Sequence, residues 1–176
     1  MIKEATDPPF DLKNNSSCID AKLSLRAATP EDETLLLEIY ASTRLSELES
    51  VPWDANQKRA FIKMQFDARQ GHYREAYRDA VGSIVLQHGQ PIGTMLVETR
   101  EREIALVDIA LLPQYRNAGL GTLLVKALMD EAASQEKTLR LHVLTTSAAV
   151  KFYERLGFWK TGDDGTYLEM TWKPTH

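Results

Sequence analysis

Between an apolar run ending at Leu111-Leu112 and a helical pattern beginning at Leu120 lies Arg116-Asn117-Ala118-Gly119-Leu120-Gly121-Thr122, a segment whose residue types suit an anion. A loop that leads from a strand into a helix gathers backbone N–H groups and the positive end of the helix dipole at one point, and such a point binds phosphate. Glycine at 119 and 121 fits that use, because a side chain there would hold a bulky anion off the donors or forbid the backbone angles that aim them. Arg116 can add a guanidinium to the anion, or can equally be a solvated charge at the edge of the turn. A glycine pair in this place also reads as plain turn chemistry. Two other phosphate motifs are excluded by residue identity. A dinucleotide fingerprint needs glycine where the chain has Leu124, and a P-loop needs Lys then Ser or Thr after its last glycine, where Gly121 is followed by Thr122 and Leu123.

The elements that must position this turn can be read on either side of it. Leu23-Ser24-Leu25-Arg26 alternates as a strand, and Thr29-Pro30-Glu31-Asp32 starts a helix expected to run to about Leu48. Asp54 with Gln57 caps a second helix carrying Phe61, Met64, Phe66 and Ala68. Val81 to His88, Pro91 to Thr99 and Ile104 to Leu112 come next as three strands of an antiparallel meander, the first two joined at Gly89-Gln90. Leu120, Leu123, Leu124, Ala127 and Leu128 then mark a helical face that ends near Ser134. Leu139, Leu141 and Val143 alternate as a strand, and Ala149, Phe152, Tyr153 and Leu156 form a second helical stripe stopped at Gly157. Phe158 to Thr161 and Tyr167 to Trp172 close the chain as a hairpin. The order predicts an α+β fold with a mixed sheet, and the segment from Ile104 to Val143 predicts a right-handed parallel crossover.

Length and composition bound the rest. A chain of 176 residues has room for one ordinary domain. Residues 1–20, which mix Pro8, Pro9, Asn14, Asn15, Ser16 and Ser17, predict a flexible N-terminal arm, and 21–176 a single domain. A formal charge of −4 with no block of Lys or Arg argues against nucleic acid as a partner. One cysteine, Cys18, leaves no internal disulfide framework and no metal cluster. The absence of a long apolar run near the N-terminus argues against a membrane partner and for a cytoplasmic protein.

The segment Leu111-Leu112-Pro113-Gln114-Tyr115-Arg116-Asn117-Ala118-Gly119-Leu120-Gly121 resembles the acetyl-CoA motif of the GNAT superfamily, Arg/Gln-x-x-Gly-x-Gly/Ala after a strand ending in an apolar-x-Pro. Ala149-x-x-Phe152-Tyr153-Glu154-Arg155-Leu156-Gly157-Phe158 resembles the family's second signature at the expected spacing. The resemblance runs from about Leu23 to Trp172. It implies a central, mostly antiparallel sheet of about seven strands flanked by four or so helices, acetyl-CoA as co-substrate without a metal, and transfer of its acetyl group to a primary amine of a small molecule or peptide. It further implies that Leu111 and Leu112 offer backbone groups to the pantetheine arm, that residues Arg116 to Thr122 hold the pyrophosphate, and that Tyr153 sits near the cofactor sulfur as general acid. Where relatives carry Asn seven residues before that tyrosine, this chain has Thr146. The helical region from Trp53 to Tyr77, with Lys58, Arg59, Arg69, Arg74 and Arg78 in and beside it, corresponds to the border of the acceptor pocket in relatives. The resemblance also suggests a homodimer, paired through the terminal hairpin. A non-catalytic acyl-CoA-binding module on the same fold is the alternative, since fold does not settle function.

Amine acetylation requires a neutral nitrogen, so a base or a water chain must take a proton from an ammonium group whose pKa is about 10. Asp108 is one candidate base: it falls on the strand face of Leu106 and Ala110, where desolvation raises a carboxylate's pKa. It can equally be a carboxylate satisfied by backbone donors or an arginine. His142, between Leu141 and Val143, is a second candidate because imidazole titrates near working pH, although a lone strand histidine is commonly structural. Glu98 is similarly placed but expected in solvent. The Tyr153 hydroxyl can assist departure of the CoA thiolate, or its ring can be core alongside Phe152.

Overall fold

The computed structural model describes residues 7 to 175 of the chain. One sheet of seven strands runs through it in the order β1-β2-β3-β4-β5-β7-β6. These are β1 (Leu23–Ala27), β2 (Val81–Gln87), β3 (Gln90–Thr99), β4 (Glu103–Leu111), β5 (Thr138–Leu144), β6 (Trp159–Asp163) and β7 (Tyr167–Trp172). Every pairing is antiparallel except β4 with β5. The helices are α1 (Ser16–Asp20), α2 (Glu33–Arg44), α3 (Ala55–Ala76), α4 (Leu120–Ser134) and α5 (Ala149–Arg155). The mixed α+β plan and the strand count expected from the sequence are thus present.

Local chemistry explains most boundaries. Asp32 accepts from the Thr29 N–H and is gripped by both terminal nitrogens of Arg26 at 2.7 Å, which ties β1 to the start of α2. The Arg26 guanidinium and those hydrogen bonds hold the Asp32 carboxyl down to about 2. The single helix expected from Pro30 to Leu48 is three pieces, a 3₁₀ turn at Pro30–Asp32, α2, and a second 3₁₀ turn at Leu45–Leu48. Asp54 and Gln57 cap α3 reciprocally at 2.9 Å, as their spacing requires. The β2–β3 turn falls one residue earlier than expected, at His88–Gly89, because Gln90 already pairs with Gln87. Both turn residues have positive φ, 50° and 77°, the backbone that a two-residue hairpin needs to match strand twist.

The main core lies between one face of the sheet and α4, with Val97, Ile104, Leu106, Leu124, Leu128 and Leu139 at its centre. Phe10, Leu12 and Cys18 belong to the same cluster, and Cys18 is fully buried. Among the described residues, the segment expected to fray is therefore packed from Phe10 onward: its apolar side chains cover α4, and Asn15 donates to Asp130 at 2.9 Å. Residues 1–6 of the expected arm lie outside the described residues. On the opposite face, Tyr40, Leu48, Ile62 and Phe66 join α2 to α3. No helix among the described residues is long and apolar enough to cross a membrane.

Two irregularities in β4 open a cleft in the sheet. Its pairing with β3 steps from Leu96↔Asp108 to Val97↔Leu106, so Val107 is an extra, bulged residue. Its parallel pairing with β5 covers only Glu103–Leu106 against Thr138–Leu141, and past that point the two strands diverge. The gap between them widens toward their C-terminal ends.

Candidate active site

At the wide end of the cleft, β4 gives way to a 3₁₀ turn at Pro113–Tyr115 and then to α4, whose N-cap is Gly119 at φ 79°. That backbone conformation suits glycine and strains other residues. Gly119 has no side chain with which to cap the helix, so the N–H groups of Leu120, Gly121 and Thr122 stay free of protein partners among the described residues, the first intrahelical donor being Leu123 to the Gly119 carbonyl at 3.1 Å. The amides of Asn117, Ala118 and Gly119 likewise find no acceptor among the described residues. Six successive donors thus lie at the positive end of a 15-residue helix. An ideal Cβ on Gly119 or Gly121 would meet nothing within 4 Å, so neither glycine is demanded by packing. Gly93 is different: there a Cβ would stand 2.3 Å from the Ala110 carbonyl oxygen, so glycine is what lets β3 close on the end of β4.

Arg116 is turned partly back into the protein. Its Nε donates to the Leu111 carbonyl at 2.8 Å and its Nη2 to Ser42 Oγ at 3.1 Å, which fastens the turn to both β4 and α2. Of the backbone groups expected at Leu111 and Leu112, the Leu111 carbonyl is held by Arg116 and the Leu112 N–H by the Ile92 carbonyl at 2.8 Å. Thr146 is exposed in the turn between β5 and α5.

The cleft continues into a groove of about 700 Å³ lined by Asp108, His142, Tyr153, Tyr167 and the α3 side chains Arg69 and Tyr73. The three residues expected to do acid–base work are therefore brought together, though not in the way their spacing implied. Because Val107 is bulged, Asp108 and Leu106 face opposite sides of the sheet, Leu106 toward α4 and Asp108 toward α2 and α3. Its one ion pair among the described residues is Arg69 Nη1 at 3.4 Å. Burial pushes the Asp108 carboxyl above the usual carboxylate range, outweighing the attraction of Arg69 and Arg44. Tyr153 is buried with its ring edge-on to Phe152 and Phe158, and burial together with the charge of Asp108 pushes its hydroxyl up to about 12. His142 stands on the exposed face of β5, its Nε2 3.5 Å from Glu169, which Arg140 and Thr161 also hold. Glu98 corrects the expectation of a solvated carboxylate: it is buried, paired with Arg100, and accepts from the Asp79 N–H at 3.3 Å.

The raised Asp108 pKa has a stability consequence. Between its unfolded value near ~3.9 and its higher folded value, the folded protein keeps a proton that the unfolded chain has released. The stabilising contribution is complete below that window and lost as pH rises through it. Asp108→Asn is neutral at every pH and can still accept from Arg69, so its unfolding midpoint at neutral pH is expected to exceed that of the parent protein, with the gap closing in acid. Thermal unfolding followed by circular dichroism at both pH values measures this, and a lower midpoint for the variant at neutral pH contradicts it.

Sequence reasoning missed Tyr40 and Arg44 of α2, which line both this groove and an adjoining cavity of about 390 Å³ beneath α2 and α3. Their four-residue spacing places them on one helix face, but nothing local shows that the face meets Arg69.

A mixed seven-stranded sheet that splays between two parallel strands, with an uncapped glycine-lined helix start at the mouth of the splay, is the architecture of an acetyltransferase fold. The chain belongs to the acetyltransferase (GNAT) family, whose model matches residues 37–158. It is 27% identical over 107 residues to the ribosomal protein bS18-alanine N-acetyltransferase of Haemophilus influenzae, covering 60% of this chain and 71% of that one. Among solved structures it resembles a PaiA N-acetyltransferase from Thermoplasma acidophilum in complex with coenzyme A, with a TM-score of 0.63, 19% identity and coverage of 86% and 99% of the two chains. An acetyltransferase from Thermus thermophilus aligns with a TM-score of 0.61 at 17% identity over 87% of this chain and 97% of that one.

Proposed function

We propose that the protein moves an acetyl group from acetyl-CoA to a primary amine of a small molecule or peptide, by direct attack while both substrates are bound. The observation that carries this reading is the row of amides from Asn117 to Thr122, without partners among the described residues, at the mouth of the β4–β5 cleft. A diphosphate on those donors gains hydrogen bonds and the helix dipole together. Acetyl-CoA, when bound, supplies the thioester carbonyl and a thiolate leaving group. With a diphosphate held by residues 117–122, the cleft would take the cofactor's arm, and the groove that Asp108 and Tyr153 share would receive its thioester end.

In that groove Asp108 takes the proton of the incoming ammonium, directly or through water. Its raised pKa makes it a better base than a solvated carboxylate once it is ionised. Tyr153, protonated across the working range, offers a hydrogen bond to the departing sulfur. His142, on the exposed face of β5 and 3.5 Å from Glu169, remains the second candidate for that role.

Incubation with acetyl-CoA and a panel of primary amines, with free thiol measured against time, tests the reading. Release of CoA that depends on an amine is the expected result. Saturable acetyl-CoA binding in titration calorimetry without thiol release from any amine would instead make the protein a non-catalytic acyl-CoA module.

A further inference from the structure

The groove holds more cationic hydrogen-bonding capacity than its own carboxylates use. Arg69 is a largely buried guanidinium, 26% exposed, stacked 4.3 Å from the Tyr40 ring centroid and 5.4 Å from that of Tyr73. Its sole hydrogen bond among the described residues is the single 3.4 Å contact to Asp108. The same chain shows what a satisfied pair looks like, in the two 2.7 Å bonds from Arg26 to Asp32. Arg69 Nε is buried without a partner, and its Nη2 has none among the described residues. Arg44, against the same Tyr40 ring, donates through Nη1 to the exposed Glu47 and also keeps a buried Nε without an acceptor. Both Nε atoms are sealed from solvent, so the charged donor left on the groove wall for a further acceptor is Nη2 of Arg69, beside the Arg44 charge. The other carboxylate at the groove, Asp164, already accepts from the Thr166 and Tyr167 amides.

We propose that the acceptor carries an oxyanion, a carboxylate or phosphate, as well as its amine, and that Arg69 with Arg44 holds that oxyanion while the amine faces Asp108. The planar guanidinium of Arg69, fixed between two tyrosine rings, presents its remaining edge without reordering, and lysine could not stack or fork in this way. A dication such as a diamine would instead meet two arginines and be repelled. This rests on the acetyltransferase reading above and names the substrate class of that site.

The test compares initial CoA release for matched acceptors that differ only in the anion. L-amino acids are set against their own amides, aminoethyl phosphate against ethanolamine, Glu-containing tripeptides against their Gln counterparts, and 1,4-diaminobutane serves as the dication. The expected result is a preference of ~10-fold or more in kcat/KM for the anionic member of at least one pair, the size a charge-assisted hydrogen bond supplies, and the preferred pair identifies the source of the oxyanion. Arg69→Gln and Arg44→Gln should each shrink that ratio, which is taken within one protein so that any change in the rate common to both members, such as a shift in Asp108, cancels. The wild-type ratio stands alone should one variant fail to fold. Equal rates within every pair, a faster neutral or dicationic member, or a ratio that survives both folded variants overturns the inference and leaves the acetyltransferase reading intact. No CoA release from any arm overturns both.

Discussion

Gly121→Val should abolish acetyl-CoA binding, with Kd raised ~100-fold or more and folding unaffected. The two halves of that expectation have separate causes. In the free protein an added Cβ at 121 meets no atom within 4 Å, and no positive φ has to be held there, so the folded state tolerates a side chain. Once a diphosphate lies on the amides of residues 117–122, the same space is where its oxygens must sit, and a valine displaces them from several donors at once. A hundredfold loss corresponds to about 2.7 kcal/mol, less than the worth of two charge-assisted hydrogen bonds. Gly119→Val provides the contrast. Its φ of 79° strains any β-branched residue, so that variant should lose stability as well as affinity. Titration calorimetry and thermal unfolding on both variants separate the effects. A Gly121→Val protein that binds CoA as the parent does would remove the phosphate from this turn.

The turn is legible in the sequence because everything it needs is local. A strand's end, two glycines two residues apart and a helical stripe beginning between them are written in consecutive residues. The helix caps at Thr29–Asp32 and Asp54–Gln57 are legible for the same reason. Features that depend on pairing between distant segments are not. Val107 is one more β-branched residue in an apolar run, and only its partners Leu96 and Val97 on β3 make it a bulge. That bulge reverses the face on which Asp108 lies, so strict alternation from Leu106 puts Asp108 on the wrong side of the sheet. Glu98 reads as solvent-facing charge because its partners, Arg100 and the Asp79 amide, are set by the fold of the hairpin end. Phe10, Leu12 and Cys18 are too few and too irregularly spaced to show a period, yet they pack over α4. The Arg69–Tyr40 stack joins α3 to α2, and neither residue carries a local mark of the other.

Tyr153→Phe should lower kcat by ~100-fold while acetyl-CoA affinity stays within about twofold of the parent. The ring itself is packed, with centroids 5.0 Å from Phe152 and 5.5 Å from Phe158, and phenylalanine preserves both contacts. Only the hydroxyl is lost, so a change in turnover reports on chemistry. The size of the effect is set by the acidity of the group. With its pKa at about 12, the hydroxyl is a weaker acid than a departing thiol whose pKa is about 8.5 if it resembles cysteine. On the proposed reading it would therefore keep its proton and stabilise the growing negative charge on the sulfur through a hydrogen bond. That places the loss at the low end of the ~10²- to 10⁴-fold range for a positioned acid. The same pKa keeps the donor intact through pH ~10, so an alkaline decline in kcat below that pH would have to arise elsewhere. On the acid side, kcat/KM should fall as Asp108 takes up its proton, and this limb should persist in Tyr153→Phe with the same midpoint, because a neutral tyrosine exerts no charge on the carboxylate. Steady-state kinetics of both proteins across the range decide the matter. A Tyr153→Phe enzyme with parental kcat would reduce Tyr153 to a packing residue and leave sulfur departure to water or to a backbone donor.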